Sequence, residues 1–152
     1  MWAFFVVFIV WMIVVLYNLK CLISRVFPDD YSVWKNNYPR PLKKLTFLNG
    51  HIGLFKCNRV LRLDIYPDKL VVGALGKALC LDYSSYLFEE KTLLFFHALK
   101  VEGIRIHKTG GLDSLIGLFS SDDTTHLVVQ LSKKDIEMIF DLIRQFRRNQ
   151  HG

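Results

Sequence analysis

The chain opens on an apolar run with almost no interruption. Met1 to Tyr17 reads MWAFFVVFIVWMIVVLY, and Asn18 is the only polar side chain among the first nineteen residues. With Leu19, Cys21, Leu22 and Ile23 the stretch approaches the ~20 residues that a helix needs to cross ~30 Å of hydrocarbon. A cleaved leader wants a charged start, a shorter apolar stretch and a small-x-small site, whereas bulky side chains dominate here, so the segment is expected to stay attached. A core helix of a soluble protein runs shorter and keeps a polar stripe. Trp2 and Tyr17 stand near opposite ends, as interfacial aromatics do, while Trp11 lies mid-run and outside such a belt. A transmembrane helix is therefore expected over residues 1–23.

Residues 24–44, SRVFPDDYSVWKNNYPRPLKK, hold three of the four prolines and sustain no period. They read as a juxtamembrane linker. Its aromatics Phe27, Tyr31, Trp34 and Tyr38 alternate with cations. Two placements stay open for them, on lipid headgroups or packed on the following domain.

Period-two alternation begins after this. In RVLRLDIY, Leu61, Leu63 and Ile65 share one face and Arg62 and Asp64 the other. Pro67, Asp68 and Lys69 supply turn chemistry before LVVGAL, so residues 59–75 read as a β-hairpin. Leu79, Leu81 and Tyr83, alternating with Cys80 and Asp82, give a further strand. Within LLFFHALKVEGIRIH (93–107), Leu99 and Val101 share a parity that Ile104 and Ile106 abandon. The flip at Gly103 predicts a β-bulge, hence a bent sheet. HLVVQL (126–131) gives another strand with Leu127, Val129 and Leu131 on one side. A helix over 133–148 closes the chain: Ser132 is its natural N-cap with Asp135 three residues on, and Ile136, Ile139, Phe140 and Ile143 form its apolar face. Arg144, Arg147 and Arg148 suit the negative end of its dipole. The expected fold is α+β: a transmembrane helix, then over 45–152 a small, strongly bent antiparallel β-barrel or sandwich capped by a C-terminal helix.

Several antiparallel strands, a bulge and one capped amphipathic helix in about a hundred residues resemble the pleckstrin-homology-like (PH-like) barrel. VLRLDIYPDKLVV is similar to the opening hairpin of bacterial PH-like and GRAM-like domains attached to membrane segments. LCLDYSSY is similar to a step such domains often carry, with Asp82 in place of a proline and Tyr86 in place of an aliphatic residue. The resemblance covers roughly residues 45–148 and implies binding or scaffolding, with no catalytic motif to transfer.

Charge refines this picture by its position. The chain carries +6 overall. Between Lys20 and Lys44, six cations (Lys20, Arg25, Lys35, Arg40, Lys43, Lys44) face two anions, so +4 of the excess lies just after the apolar run. There, cations set topology and meet anionic headgroups, which places the N-terminus outside and the domain on the cytoplasmic side of the inner membrane. These six are the expected membrane-surface contacts. The same placement argues against nucleic acid as a partner. Three cysteines follow no metal spacing and fit a reducing compartment. Cys21 reads as apolar filler at the membrane boundary, where acylation is also chemically open.

The search for chemistry returns little. Ser32-Val33-Trp34-Lys35 and Lys108-Thr109-Gly110 imitate the S-x-x-K and K-T-G elements of penicillin-recognising enzymes. Here Ser32 sits in a Pro-rich stretch, and Ser121-Asp122-Asp123 follows the K-T-G instead of preceding it, so the match is coincidental. Five histidines are dispersed without metal-ligand spacing. No catalytic residue, metal site or cofactor is assigned, and a small-molecule ligand is not expected. In GLDSLIGLFSS, Leu112, Leu115, Ile116 and Phe119 repeat at helical spacing between two strands. They form a candidate patch for a partner or the membrane, or an element tucked on the barrel. The expected function is a single-pass membrane-anchored, non-enzymatic binding or scaffold module whose partners are the bilayer and a protein. The alternative is a small immunity or inhibitor protein that neutralises a membrane-acting toxin or enzyme.

Overall fold

The computed structural model describes residues 1–37, 39–53, 55–105 and 124–151, the side chains of Cys21, Leu22, Asn37, Phe55 and Leu93 aside. Its elements in chain order are α1 (Trp2–Val26), β1 (Asp29–Asp30), α2 (Tyr31–Asn37), β2 (Lys43–Ile52), β3 (Phe55–Ile65), β4 (Lys69–Ala74), β5 (Lys77–Asp82), β6 (Leu87–Leu93), β7 (Phe96–Arg105), β8 (Thr124–Leu131) and α3 (Lys133–His151). The strands form one eight-stranded sheet in the order β1-β5-β4-β3-β2-β8-β7-β6, antiparallel throughout. It curls strongly into a half-barrel, in keeping with the α+β class.

The curl has local causes. β2 pairs with β3 along its whole length, from Lys43 to Ile52, and with β8 only at Gly50, His51 and Ile52, so the end of this strand joins the two halves. Its register with β3 shifts between Leu45 and Leu48, where Phe47 takes a positive φ of 56°. An irregularity of this kind bends a strand and raises its twist. Where the halves join, the backbones come so close that a Cβ on Gly50 would run into the Val128 carbonyl oxygen and lie 2.7 Å from Leu61 Cδ1. In the β7–β8 ladder a shift falls between Glu102 and Ile104, with Gly103 at φ 85°. This is the bulge that the parity flip in β7 predicts.

Leu61, Leu63, Ile65, Leu70, Leu81, Tyr83, Leu99, Val101, Leu127 and Val129 fill the concave side of the sheet. Ile136, Ile139 and Ile143 of α3 close over them. The start of α3 is held as its sequence requires. Ser132 Oγ accepts from the Asp135 backbone N–H at 3.3 Å and donates to the Asp135 carboxylate at 2.8 Å, while Lys43 of β2 pairs with the same carboxylate. Burial acts to raise the Asp135 pKa, and the bonds from Lys43 and Ser132 outweigh it and hold the carboxyl below its ordinary value.

The largest departure from the sequence reading lies between the apolar run and the sheet. α1 does not stop at residue 23 but continues to Val26, and Ile23, Val26 and Phe27 are fully enclosed in the domain core. Pro28 ends the helix, since the residue before a proline is pushed out of the helical region; Phe27 takes φ −108°, ψ 97°. Ile23, expected in the lipid-facing run, therefore belongs to the protein interior, and so do Val26 and Phe27 of the expected linker.

The stretch 24–44 is likewise structured. β1 pairs with β5, and Lys77 reaches Asp30 at 2.8 Å. α2 then lies on the outer face of β3 to β5. Tyr31 packs over Gly73 and donates to Asp64 Oδ2 at 2.8 Å, with the Arg62 guanidinium 5.3 Å from its ring centre. Burial, and next the Asp64 hydrogen bond, push the Tyr31 hydroxyl up to about 12. Trp34 sits under the Lys69 ammonium. Of the two placements open to these aromatics, Phe27, Tyr31 and Trp34 adopt the one on the domain, while Tyr38 lies outside the described residues.

Candidate functional site at the open sheet edge

β6 pairs with β7 on one side, and among the described residues no strand takes its other side. Leu87, Glu89 and Lys91 point one way, Phe88, Glu90 and Thr92 the other, and only Phe88 is buried. Phe88 is fixed from behind. Its ring meets Tyr83 edge-on at 5.8 Å, Tyr83 meets Phe146 of α3 at the same distance, and the Tyr83 hydroxyl donates to the Tyr66 carbonyl at 2.7 Å. Burial, assisted by Asp68, raises the Tyr83 pKa, so this donor stays protonated.

Between β6 and α3 runs a groove of about 660 Å³. It is lined by the apolar Phe88, Phe140 and Ile143 and by the charged Glu89, Glu90, Glu137, Arg144 and Arg147. Unpaired backbone groups along a strand, beside an apolar trough with charges of both signs, form a template for an extended polypeptide. The turn that follows β6 is also apolar: Leu94 is 97% and Phe95 87% exposed.

Elsewhere the fold joins residues distant in the sequence. His51 of β2 and His126 of β8 stack edge to face at 5.6 Å, beside a shallow cleft of about 470 Å³ that includes Lys56, Phe96 and Gln130. Burial, then the neighbouring His51, lower the His126 pKa. Among the described residues no three His, Cys, Asp or Glu side chains gather as a metal site requires. Burial lifts the Cys57 thiol to about 11, and burial together with Asp82 lifts Cys80 to about 12, so neither carries the thiolate of a nucleophile.

No protein-family model and no curated protein matches the chain.

The cations expected at the membrane surface divide into three kinds. Lys20, Lys35, Arg40 and Lys44 are exposed. Lys43 is exposed too, but is engaged by Asp135. Arg25 is buried, being only 5% exposed, in the last turn of α1, where a cation suits the helix dipole. The candidate patch Leu112, Leu115, Ile116 and Phe119 lies outside the described residues.

The β6–α3 groove escaped the sequence reading for a physical reason. LFEEKTL places polar residues on both parities because an edge strand has water on two sides, so it leaves no alternation to detect. The one available signal was Phe88 alternating with charges.

Proposed function

We propose that this chain is a single-pass membrane-anchored, non-enzymatic binding module of PH-like type, whose open β6 edge and adjoining groove receive an extended segment of a protein partner. One observation carries the reading. α1 is long and apolar enough to cross a membrane, every residue from Met1 to Tyr17 is exposed, and the same helix runs without a break into the core of the sheet domain. At ~1.5 Å per residue the stretch up to Lys20 rises close to the ~30 Å of a hydrocarbon layer. About one further turn then separates the bilayer from the domain interior. A module joined this way is held at fixed height and tilt, with no slack, so its docking edge is pre-oriented. That removes part of the ordering cost of binding.

Lys20, Lys35, Arg40 and Lys44 support a domain lying on an anionic, cytoplasmic membrane surface. A photoreactive side chain introduced at Glu89 or Phe140 in membranes from expressing cells is expected to yield protein adducts. The same group at Leu75, in the exposed β4–β5 turn, is expected to yield none. Equal labelling from all three positions, or none from any, would sink the strand-docking reading.

A further inference from the structure

We infer that the strand received by β6 is β6 of a second copy of this chain, giving a two-fold symmetric dimer with a sheet continuous across both domains. The inference rests on the reading of β6 as a docking edge and adds the identity of its occupant. Two antiparallel copies related by a two-fold axis pair residues of equal parity. With Glu90 on the axis, all seven residues of β6 find partners: Leu87 faces Leu93, Phe88 faces Thr92 and Glu89 faces Lys91 of the second copy. The Glu89–Lys91 match occurs twice by symmetry, and opposite charges directly across a ladder stabilise it.

Lys91 is the telling residue. It is exposed and makes no ion pair among the described residues, whereas Glu89 stands across from Lys100 within its own chain. The pairing supplies Lys91 with an anion. One step beyond, Leu94, which lies almost wholly in water, comes opposite Tyr86 of the second copy. The unfavourable element is Glu90 meeting its own copy, with His97 Nδ1 3.7 Å from its carboxylate.

A ladder of this length buries less than the ~1,000 Å² expected of a stable interface in solution. Two copies anchored in one membrane present the same edge at the same height, and confinement raises their effective concentration. The two-fold axis then runs along the membrane normal.

Donor- and acceptor-labelled full-length chains, reconstituted in phosphatidylcholine–phosphatidylglycerol vesicles, test this by energy transfer across protein-to-lipid ratios. Glu89→Lys alone and Lys91→Glu alone should each lower association roughly tenfold, because each turns two attractive pairs into two repulsive ones. Mixing the two variants should restore wild-type transfer, since all four facing charges are then opposite. Glu90→Gln should strengthen association. Single variants that leave transfer unchanged, or a mixture that stays as weak as its components, would overturn the dimer. Wild-type transfer no higher than that of an isolated single-span peptide, together with Glu89 photo-adducts to a different protein, would overturn it while leaving strand docking intact.

Discussion

A chain shortened to begin at Asp29 is expected to fail to fold, whereas one shortened to begin at Asn18 is expected to give a folded, water-soluble domain. The contrast follows from where α1 changes solvent. Met1 to Tyr17 touch little of the domain, so their removal takes away exposed apolar surface and leaves the core intact. Ile23, Val26 and Phe27 are buried in the same core as Leu81, Tyr83 and the α3 isoleucines. Large-to-small changes at such positions cost about 2–5 kcal/mol for Ile and about 3–5 kcal/mol for Phe. Loss of all three therefore reaches the ~5–15 kcal/mol that holds a domain together. Circular dichroism and thermal unfolding of the two truncated chains make the comparison. Within the longer one, Phe27→Ala alone should remove about 3–5 kcal/mol.

Gly50→Ala should destabilise the domain by about 3 kcal/mol or more, since a methyl group there meets backbone that cannot rotate away. For a domain of this size that corresponds to a melting temperature lower by ~10–20 °C. Gly103→Ala serves as the control. A Cβ there meets nothing within 4 Å, so only the positive φ opposes it, at about 1 kcal/mol. A Gly50→Ala protein that melts within a few degrees of Gly103→Ala would show that β2 and β8 do not cross this closely.

The strands with one wet and one dry face were legible in the sequence. Leu61, Leu63 and Ile65 announced β3, and Leu127, Val129 and Leu131 announced β8, because burial imposes a period of two. Gly103 betrayed its bulge by reversing parity, and Ser132 with Asp135 announced α3. β2 was not legible: Phe47, in a left-handed conformation within an irregular stretch, erases the alternation of KKLTFLNGHI. β6 was hidden by its exposure on two sides, and the β6–α3 groove with it.

The end of the membrane segment was misplaced for a different reason. Hydropathy does not distinguish an isoleucine dissolved in lipid from one buried in protein. Ile23 differs from Ile9 only in what surrounds it. The aromatics of residues 24–44 posed the same ambiguity, and only the fold shows Tyr31 bonded to Asp64 and Trp34 under Lys69. The pairing of His51 with His126 had no local signature either, since it depends on β2 and β8 becoming neighbours.

The division of α1 between two solvents is most directly tested through the three tryptophans. Trp11 lies in the exposed apolar part of α1 and Trp34 on the domain surface in α2. Full-length chains retaining one or the other, with phenylalanine at the remaining two positions, are reconstituted in lipid brominated at mid-chain. Trp11 fluorescence should be strongly quenched and Trp34 fluorescence left as in unbrominated lipid. Quenching of Trp11 no greater than that of Trp34 would contradict a helix that enters the bilayer at one end and the protein core at the other.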